Sequence, residues 1–574
     1  MPGVGAMLKV RTIAVLAGIG AVRTAFAAAL VASTFATPPP PSGGDDLSAS
    51  VVPEWSRITA TAAAAARHVY PTRANAKARW RAPGALEFPA RFSGDNPVGC
   101  AAWDINCRLD LSKREGLEFD FRCDDISQFS QLRFFLRSGK GWYSVWPFAP
   151  EKEGAWCRIR FKREDFSPDK SAAGLDDIVS IRVAGWRNGN HDAVLGMANL
   201  SYTDVSDKDL TREEIAERDR KTREWVRAQP SKRGERRAFA CQSPRGICGD
   251  KSSNWERSVA ELAKNGFNML CVNFAWSGCA DYSSAVLPPS AEMKERGDML
   301  KPCLAACRRH GVELHAWKMF WRLGGKRCDP AEIAAARSRG AMAVDDAGRP
   351  FDDALCPSDP VTQSREIEAF VELAKTGVAG VQLDHIRQNG ASSCFCPRCR
   401  ALFEKSIGRT VADWPKDVRK GDALGEKWLA FRADTVTDFV RRLSSRVRRE
   451  APGVKISAAV FNSPASDHLG PGQDWTRWCR EGLLDIVCPM DYTASPLLLK
   501  SMIDAQKAAA GRVEVMPYLG ISLWPKGVDR VRTAAEQIAV VRDAGLDGFI
   551  FFNYAVWHLD QMKALREGPL KEDP

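Results

Sequence analysis

The chain has 574 residues, too many for one ordinary core, so at least two domains are expected. Hydrophobic residues make up 45% and charged residues 27%, which excludes a disordered or fibrous protein. The formal charge of +11 comes from 82 basic residues interspersed with 71 acidic ones, with no dense basic block, and this argues against a nucleic-acid partner.

The first predicted element is an address. Lys9 and Arg11 precede "TIAVLAGIGAVRTAFAAALVASTFAT", an Ala-rich apolar run that ends in small residues. The pattern is that of a Sec-type signal peptide over residues 1–36, with cleavage near Ala36, and it implies a periplasmic or secreted protein. Arg23 interrupts the run, and an uncleaved N-terminal anchor is the alternative. "TPPPPSGGDD" opens a linker or low-order segment over residues 37–79. No later apolar run is long enough to span a bilayer, so no stable membrane insertion is expected after signal cleavage.

Residues 80–205 read as short alternating strands, among them "GLEFDFRCD", "QLRFFLRSG", "WCRIRFKRED" and "IVSIRVAGW", separated by Gly, Asp, Ser and Pro turns. This predicts an antiparallel β-sandwich of jelly-roll type. Trp103, Trp142, Trp146 and Trp186 are candidates for stacking on sugar rings, with core packing as the plain alternative. The architecture is similar to that of accessory carbohydrate-binding modules. Residues 206–237 are highly charged and helix-favouring, which suits a connecting helix.

From Ala238 to residue 568 the period changes. Apolar strands alternate with amphipathic helices: "AFACQSP", "FNMLCVNFAW", "VELHAWKMFW", "VAGVQLDHIR", "KISAAVF", "DIVCPMDYT", "VEVMPYLGI" and "GFIFFNYAV". Eight such strands in about 330 residues predict a (β/α)8 TIM barrel. A doubly wound open sheet is the runner-up, but no Gly-rich phosphate loop lies between a strand and a helix.

Barrel active sites lie at the C-terminal ends of the strands. Those ends present Gln242 and Ser243, Asn273 and Trp276, then His315, Trp317, Lys318 and Trp321. They continue with Asp384, His385 and Arg387, then Asn462, Asp491 with Tyr492, Tyr518 with Trp524, and Asn553, Tyr554 and Trp557. Aromatic faces stack on sugars, amides bond hydroxyls, and a pair of carboxylates can protonate a glycosidic oxygen and attack or stabilise the anomeric carbon. Asp384 and Asp491 are the candidate catalytic pair. Asn273, Trp276, His315, Trp317, Lys318, His385, Arg387, Asn462, Tyr492, Tyr518, Asn553 and Trp557 are candidate substrate-binding residues. No cofactor is expected, and no His pair has metal spacing on a helix.

The loop after the fourth strand carries Cys394, Cys396 and Cys399 as C-x-C-x-x-C. Three ligands fall one short of a structural zinc site, and Cys356 or Cys328 is the candidate fourth. In an exported protein a disulfide is equally open, and free thiols are the third reading.

"LHAWKMFW", "GVQLDHIR" followed by "CFCPRCRALFEKSIG", "KWLAFRADTVTDFVRRLSSRVRREAPGVKISAAVF", "DWTRWCREGLLDIVCPMDYT" and "GLDGFIFFNYA" occur in this order between Ala238 and Arg566. Together they resemble bacterial glycosyl-hydrolase-like proteins of the family-10-like (DUF187-type) group. The resemblance implies a TIM barrel acting on or binding a polysaccharide or oligosaccharide, with its motif acid at Asp384 and a strand-six polar pair at Asp491 and Tyr492. Many retaining barrel glycosidases end strand five with an acid, whereas this strand offers Asn462. Asp346, Asp353 and Asp467 are therefore reserve acids. The expected function is exported glycoside hydrolysis. The alternatives are a non-catalytic carbohydrate-binding protein and a sugar lyase or transglycosylase.

Overall fold

The computed structural model describes residues 53–72, 75–94, 98–204, 211–242, 254–390, 393–419, 421–465, 470–520, 528–554 and 557–573. The signal peptide, the proline-rich start of the linker, Ser243, Asp467 and Trp524 lie outside the described residues.

Two antiparallel sheets form the N-terminal unit. One runs in the order β1 (Val69–Thr72), β4 (Cys100–Leu109), β10 (Ile178–Arg187), β6 (Phe129–Ser138), β7 (Gly141–Ser144) and β9 (Ser167–Pro168). The other runs β2 (Arg79–Arg81), β3 (Ala85–Ala90), β11 (Ala193–Thr203), β5 (Gly116–Cys123) and β8 (Cys157–Lys162). Alternation puts phenylalanines between the sheets: Phe119 of β5 stacks on Phe134 of β6 with ring centres 5.1 Å apart, and Phe161 of β8 packs against both. Trp103 is fully buried in this core, whereas Trp142, Trp146 and Trp186 are half-buried. The region expected as linker over residues 37–79 carries ordered elements. The helices Pro53–Thr59 and Ala62–His68 precede β1, which pairs with β4, and Trp55 and Ile58 enter the sandwich core.

The helix Arg212–Arg227 connects the two units. Thr211 caps it, reciprocally bonded with Glu214 in a capping box. It lies on the barrel, with Val226 buried there and Thr222 Oγ1 donating to Asp529 at 2.9 Å.

Eight parallel strand positions then close a barrel. They are β12 (Arg236–Cys241), β13 (Met269–Ala275), β14 (Glu313–Met319), β17 (Gly380–Asp384), β18 (Lys455–Val460), β19 (Ile486–Asp491), the broken pair β20 (Glu514–Val515) and β21 (Tyr518–Leu519), and β22 (Gly548–Phe552). β22 pairs with β12 and closes the ring. A hairpin, β15 (Met342–Val344) with β16 (Pro350–Leu355), is inserted after β14. The expected sandwich followed by a TIM barrel is therefore the observed architecture.

Both faces of each barrel strand are buried, but into different cores. Ala238, Met269, Cys271, Trp317, Met319, Cys488 and Tyr518 fill the bore. Leu270, Val272, Ala316, Val381, Leu383, Val487 and Leu519 face the helices. Gly380 has a packing reason: a Cβ there would lie 2.4 Å from Cε1 of His315 inside the bore. The helix Pro496–Ala510 joins the units, because Leu498 and Met502 insert into the sandwich core.

Candidate functional site

Period two along β17 decides what reaches the mouth. Val381 and Leu383 face the helices, so Gly380, Gln382 and Asp384 face the bore, and Asp384 is the last residue of the strand. Its side chain is mostly covered at 8% exposure. The chain then turns through His385, whose φ of +54° is left-handed for a residue with a Cβ. That turn lets the His385 backbone N–H donate to Asp384 Oδ1 at 2.7 Å. The Arg387 guanidinium comes to 3.4 Å from His385 Nε2 and lies 4.8 Å over the Phe461 ring.

These groups feel one another. Burial pulls the Arg387 pKa down, while Asp384 and then Tyr492 push it up. Burial pushes the Tyr492 hydroxyl well above its ordinary range, with Asp384 adding and Arg387 opposing. Tyr492 also stacks on Phe552 at 5.3 Å. A Cβ on Gly520 would meet the Tyr492 backbone at 2.9 Å, so glycine there lets the seventh strand run close beside Tyr492. Burial draws the His385 imidazole down to about 4; Asp384 and Asp353 oppose this, whereas Arg387 and Arg322 reinforce it. Arg322 holds Asp353 at 2.9 Å and Asn389 at 3.2 Å. The mouth thus gathers Asp384, His385, Arg387 and Tyr492, with Asp353 and Arg322 on its rim.

One layer deeper lie Asn273, Trp317 and Gln382, aligned across β13, β14 and β17. Tyr518 donates its hydroxyl to Gln382 Oε1 at 2.7 Å. The Asn273 amide, Trp317 Nε1, Gln382 Nε2 and Arg387 Nη1 are buried with no protein hydrogen-bond partner. Half-buried Trp276 packs beside the bore, with Arg327 at 5.9 Å from its ring centre. Partly exposed Asn553 directly follows β22.

Four expected site residues face elsewhere, and a fifth lies deep in the bore. Asp491 points out of the bore toward the helix Pro496–Ala510 and is fully buried; Gln506 Nε2 donates to its Oδ1 at 2.7 Å. Burial raises its pKa well above the carboxylate range, with the Gln506 bond opposing. Asn462 faces the same helix, its amide 2.9 Å from Met502 Sδ. Lys318 also points outward and pairs with Glu366 of the helix Pro360–Ala374 at 2.6 Å, both side chains fully buried. Trp557 is sealed in the outer core, stacked on Phe551 at 5.3 Å. His315 does face the bore but sits beside Gly380 at the base of β17, about 13 Å below Asp384 at ~3.3 Å per strand residue. Burial pulls its pKa to about 3.

Reasoning from strand ends missed Gln382, Arg322, Phe461 and Phe552. Counting back by two from Asp384 would have found Gln382. Arg322 and Asp353 come together only because the inserted hairpin folds over the rim, with Leu323 N–H bonding the Asp353 carbonyl at 2.8 Å.

Cys356 completes the C-x-C-x-x-C set. The sulfurs of Cys356, Cys394, Cys396 and Cys399 all lie within 4.8 Å of one another and are buried. Cys328, the other candidate fourth member, lies apart, its sulfur 3.5 Å from the Gly278 carbonyl.

No curated protein matches this sequence. Among solved structures, the glycoside hydrolase domain of PgaB (BpsB) from Bordetella bronchiseptica is 15% identical, with 60% of this chain and 100% of that one aligned at a TM-score of 0.46. The catalytic domain of a beta-amylase from Paenibacillus polymyxa is 12% identical, over 59% of this chain and 96% of that one, at 0.42. An exo-beta-agarase is 11% identical, over 90% of this chain and 98% of that one, at 0.44. Residues 248–514, which include the strand that delivers Asp384, match the sequence model of the family Glycosyl hydrolase-like 10.

Proposed function

We propose that this protein is an exported glycoside hydrolase that cleaves a polysaccharide or oligosaccharide at the mouth of the barrel. The observation that carries this reading is Asp384, facing the bore at the end of β17, above a layer of buried donors with no protein partner. Buried polar groups are rarely left unbonded in folded proteins. A hydroxyl-rich ligand would satisfy Asn273 and Gln382 while stacking on Trp317 or Trp276. The family signature over residues 248–514 supports the same substrate class.

In this reading Asp384 acts as nucleophile or as stabiliser of the oxocarbenium ion, oriented by the His385 backbone N–H and faced by Arg387. The second carboxylate is Asp353, because Arg322 ties it to Asn389 in the loop that follows Asp384, whereas Asp491 is bonded to Gln506 behind the strand. Asp353 can protonate the leaving oxygen only once substrate opens its 2.9 Å ion pair with Arg322. Tyr492 and Arg387 line the subsite. Export rests on the N-terminal pattern, and among the described residues no helix is long and apolar enough to cross a membrane.

Product release from a panel of polysaccharides tests the reading. Asp384→Asn and Asp353→Asn should each lower kcat by about 10²–10⁴-fold with the fold retained. Wild-type rates in a folded Asp384→Asn variant would refute it. A non-catalytic carbohydrate-binding protein is the second reading, favoured by the bore-facing Phe461 after β18, where an acid would stand in many barrel glycosidases. Glycan binding without any release of reducing ends would select it.

A further inference from the structure

We propose that Cys356, Cys394, Cys396 and Cys399 bind one zinc ion, which ties the inserted hairpin to the loop that follows Asp384. The four sulfurs converge on one centre rather than forming two separated pairs. All lie within 4.8 Å of one another, with Cys356 at 3.4 Å from Cys399 and 3.7 Å from Cys396. A tetrahedral zinc with Zn–S bonds of about 2.3 Å needs sulfurs about 3.8 Å apart, so the cluster is already near that spacing. Four thiolates select a borderline-soft ion such as zinc over calcium or magnesium, whose ligands are oxygens.

The surroundings suit a closed structural site. Ala343, Ala354, Phe395, Phe403 and Trp428 pack around the cysteines and exclude water. No fourth position is left open for a substrate, which separates a structural from a catalytic zinc. The Val344 backbone N–H donates to Cys394 Sγ at 3.4 Å, and the Cys399 N–H donates to Cys396 Sγ at 3.5 Å. Such bonds stabilise thiolate ligands. Binding releases four protons as four thiols become Zn(S-Cys)4, a centre of net charge −2. The buried Arg432 guanidinium, whose charge interacts with Cys394 and Cys399, offsets part of that charge.

The four ligands come from two segments far apart in sequence. Cys356 follows β16, three residues beyond Asp353. The other three lie ten to fifteen residues beyond Asp384, and Cys396 also caps the helix Pro397–Ile407. Metal binding therefore joins the rim hairpin to the loop after the fourth barrel strand, in the way a disulfide would but with four anchors.

The test uses the full chain purified reduced and without added metal. Elemental analysis should find one zinc per chain, released when a mercurial titrates the thiols. Cobalt exchanged into the site should give sulfur-to-cobalt charge-transfer bands and tetrahedral ligand-field bands. Cys356→Ser should bring bound zinc below ~0.1 equivalent, whereas Cys157→Ser, in the sandwich, should leave it at one. Less than ~0.1 equivalent of zinc in the folded wild type, stoichiometric iron, or two disulfides among the four cysteines by non-reducing mass spectrometry would overturn the proposal. If Cys356→Ser does not fold, the wild-type stoichiometry and the cobalt spectrum still decide.

Discussion

A carboxylic acid sealed from water keeps its proton unless a charge or several donors compensate, and Asp491 has one neutral donor, Gln506. It is a hydrogen-bonding strut between a barrel strand and a helix. Asp491→Asn keeps the acceptor and should leave kcat/KM within ~3-fold of wild type, whereas Asp491→Ala strands the Gln506 amide at a cost of about 1–3 kcal/mol in unfolding experiments. His315 and His385 supply the pH dependence at this scale. Both have pKa values drawn below the free value of 6.5 by burial, to about 3 and about 4. The unfolded chain therefore binds more protons than the folded chain below pH 6.5. Their contribution to stability is complete above that pH and is lost as the pH falls toward 4 for His385 and toward 3 for His315. Melting temperatures measured between pH 7 and 4 should fall, and His385→Asn should flatten the slope.

At the scale of the element, each barrel strand is read by two cores. β14 shows this best: His315, Trp317 and Met319 face the bore, and Leu314, Ala316 and Lys318 face the helices. Hydrophobicity alone does not separate these faces, since both are buried. The order of strands, the sandwich and the delivery of Asp384 to the mouth were legible, because apolar runs and their spacing carry that information. The facing of Lys318, Asn462 and Asp491 was not, because strand ends were read without their parity. Counting by two from Asp384 assigns one strand, but bulges such as the one between Asn273 and Ala275 break the count on others. Asp353 was legible only as one of three reserve acids, because an insertion whose path the sequence does not give carries it. The consequence for Lys318 is testable. Its pKa is lowered by burial, and its ammonium is held by Glu366 and lies 4.9 Å over the Phe320 ring. Lys318→Met leaves Glu366 buried and alone, so chemical denaturation should show a loss of about 3–5 kcal/mol. The double variant Lys318→Met/Glu366→Leu should recover most of it, while the glycan hydrolysis proposed for the barrel mouth is unchanged in the folded fraction of both.

At the scale of the whole molecule, the two units share one helix. Pro496–Ala510 covers the sixth barrel strand, yet its Leu498 and Met502 are part of the sandwich core. Its Ser501 hydroxyl shares its one proton between the carbonyls of Ile126 and Phe129, each 3.2 Å away, and Asn188 Nδ2 donates to the Ser501 carbonyl at 3.1 Å. Ser463, just beyond β18, donates to the Arg187 carbonyl at 2.9 Å. If the sandwich unfolded first, two large apolar side chains would be bared at about 1.5–3 kcal/mol each, together with several buried polar groups. Loss of either unit therefore destabilises the other, and calorimetry of the full chain should show one transition. Leu498→Lys places a charge in the sandwich core without touching the mouth of the barrel. It should split the endotherm in two, the sandwich melting first, while the barrel keeps its far-UV helical signal to the higher temperature. A single unshifted transition in that variant would mean that the shared helix does not couple the two units.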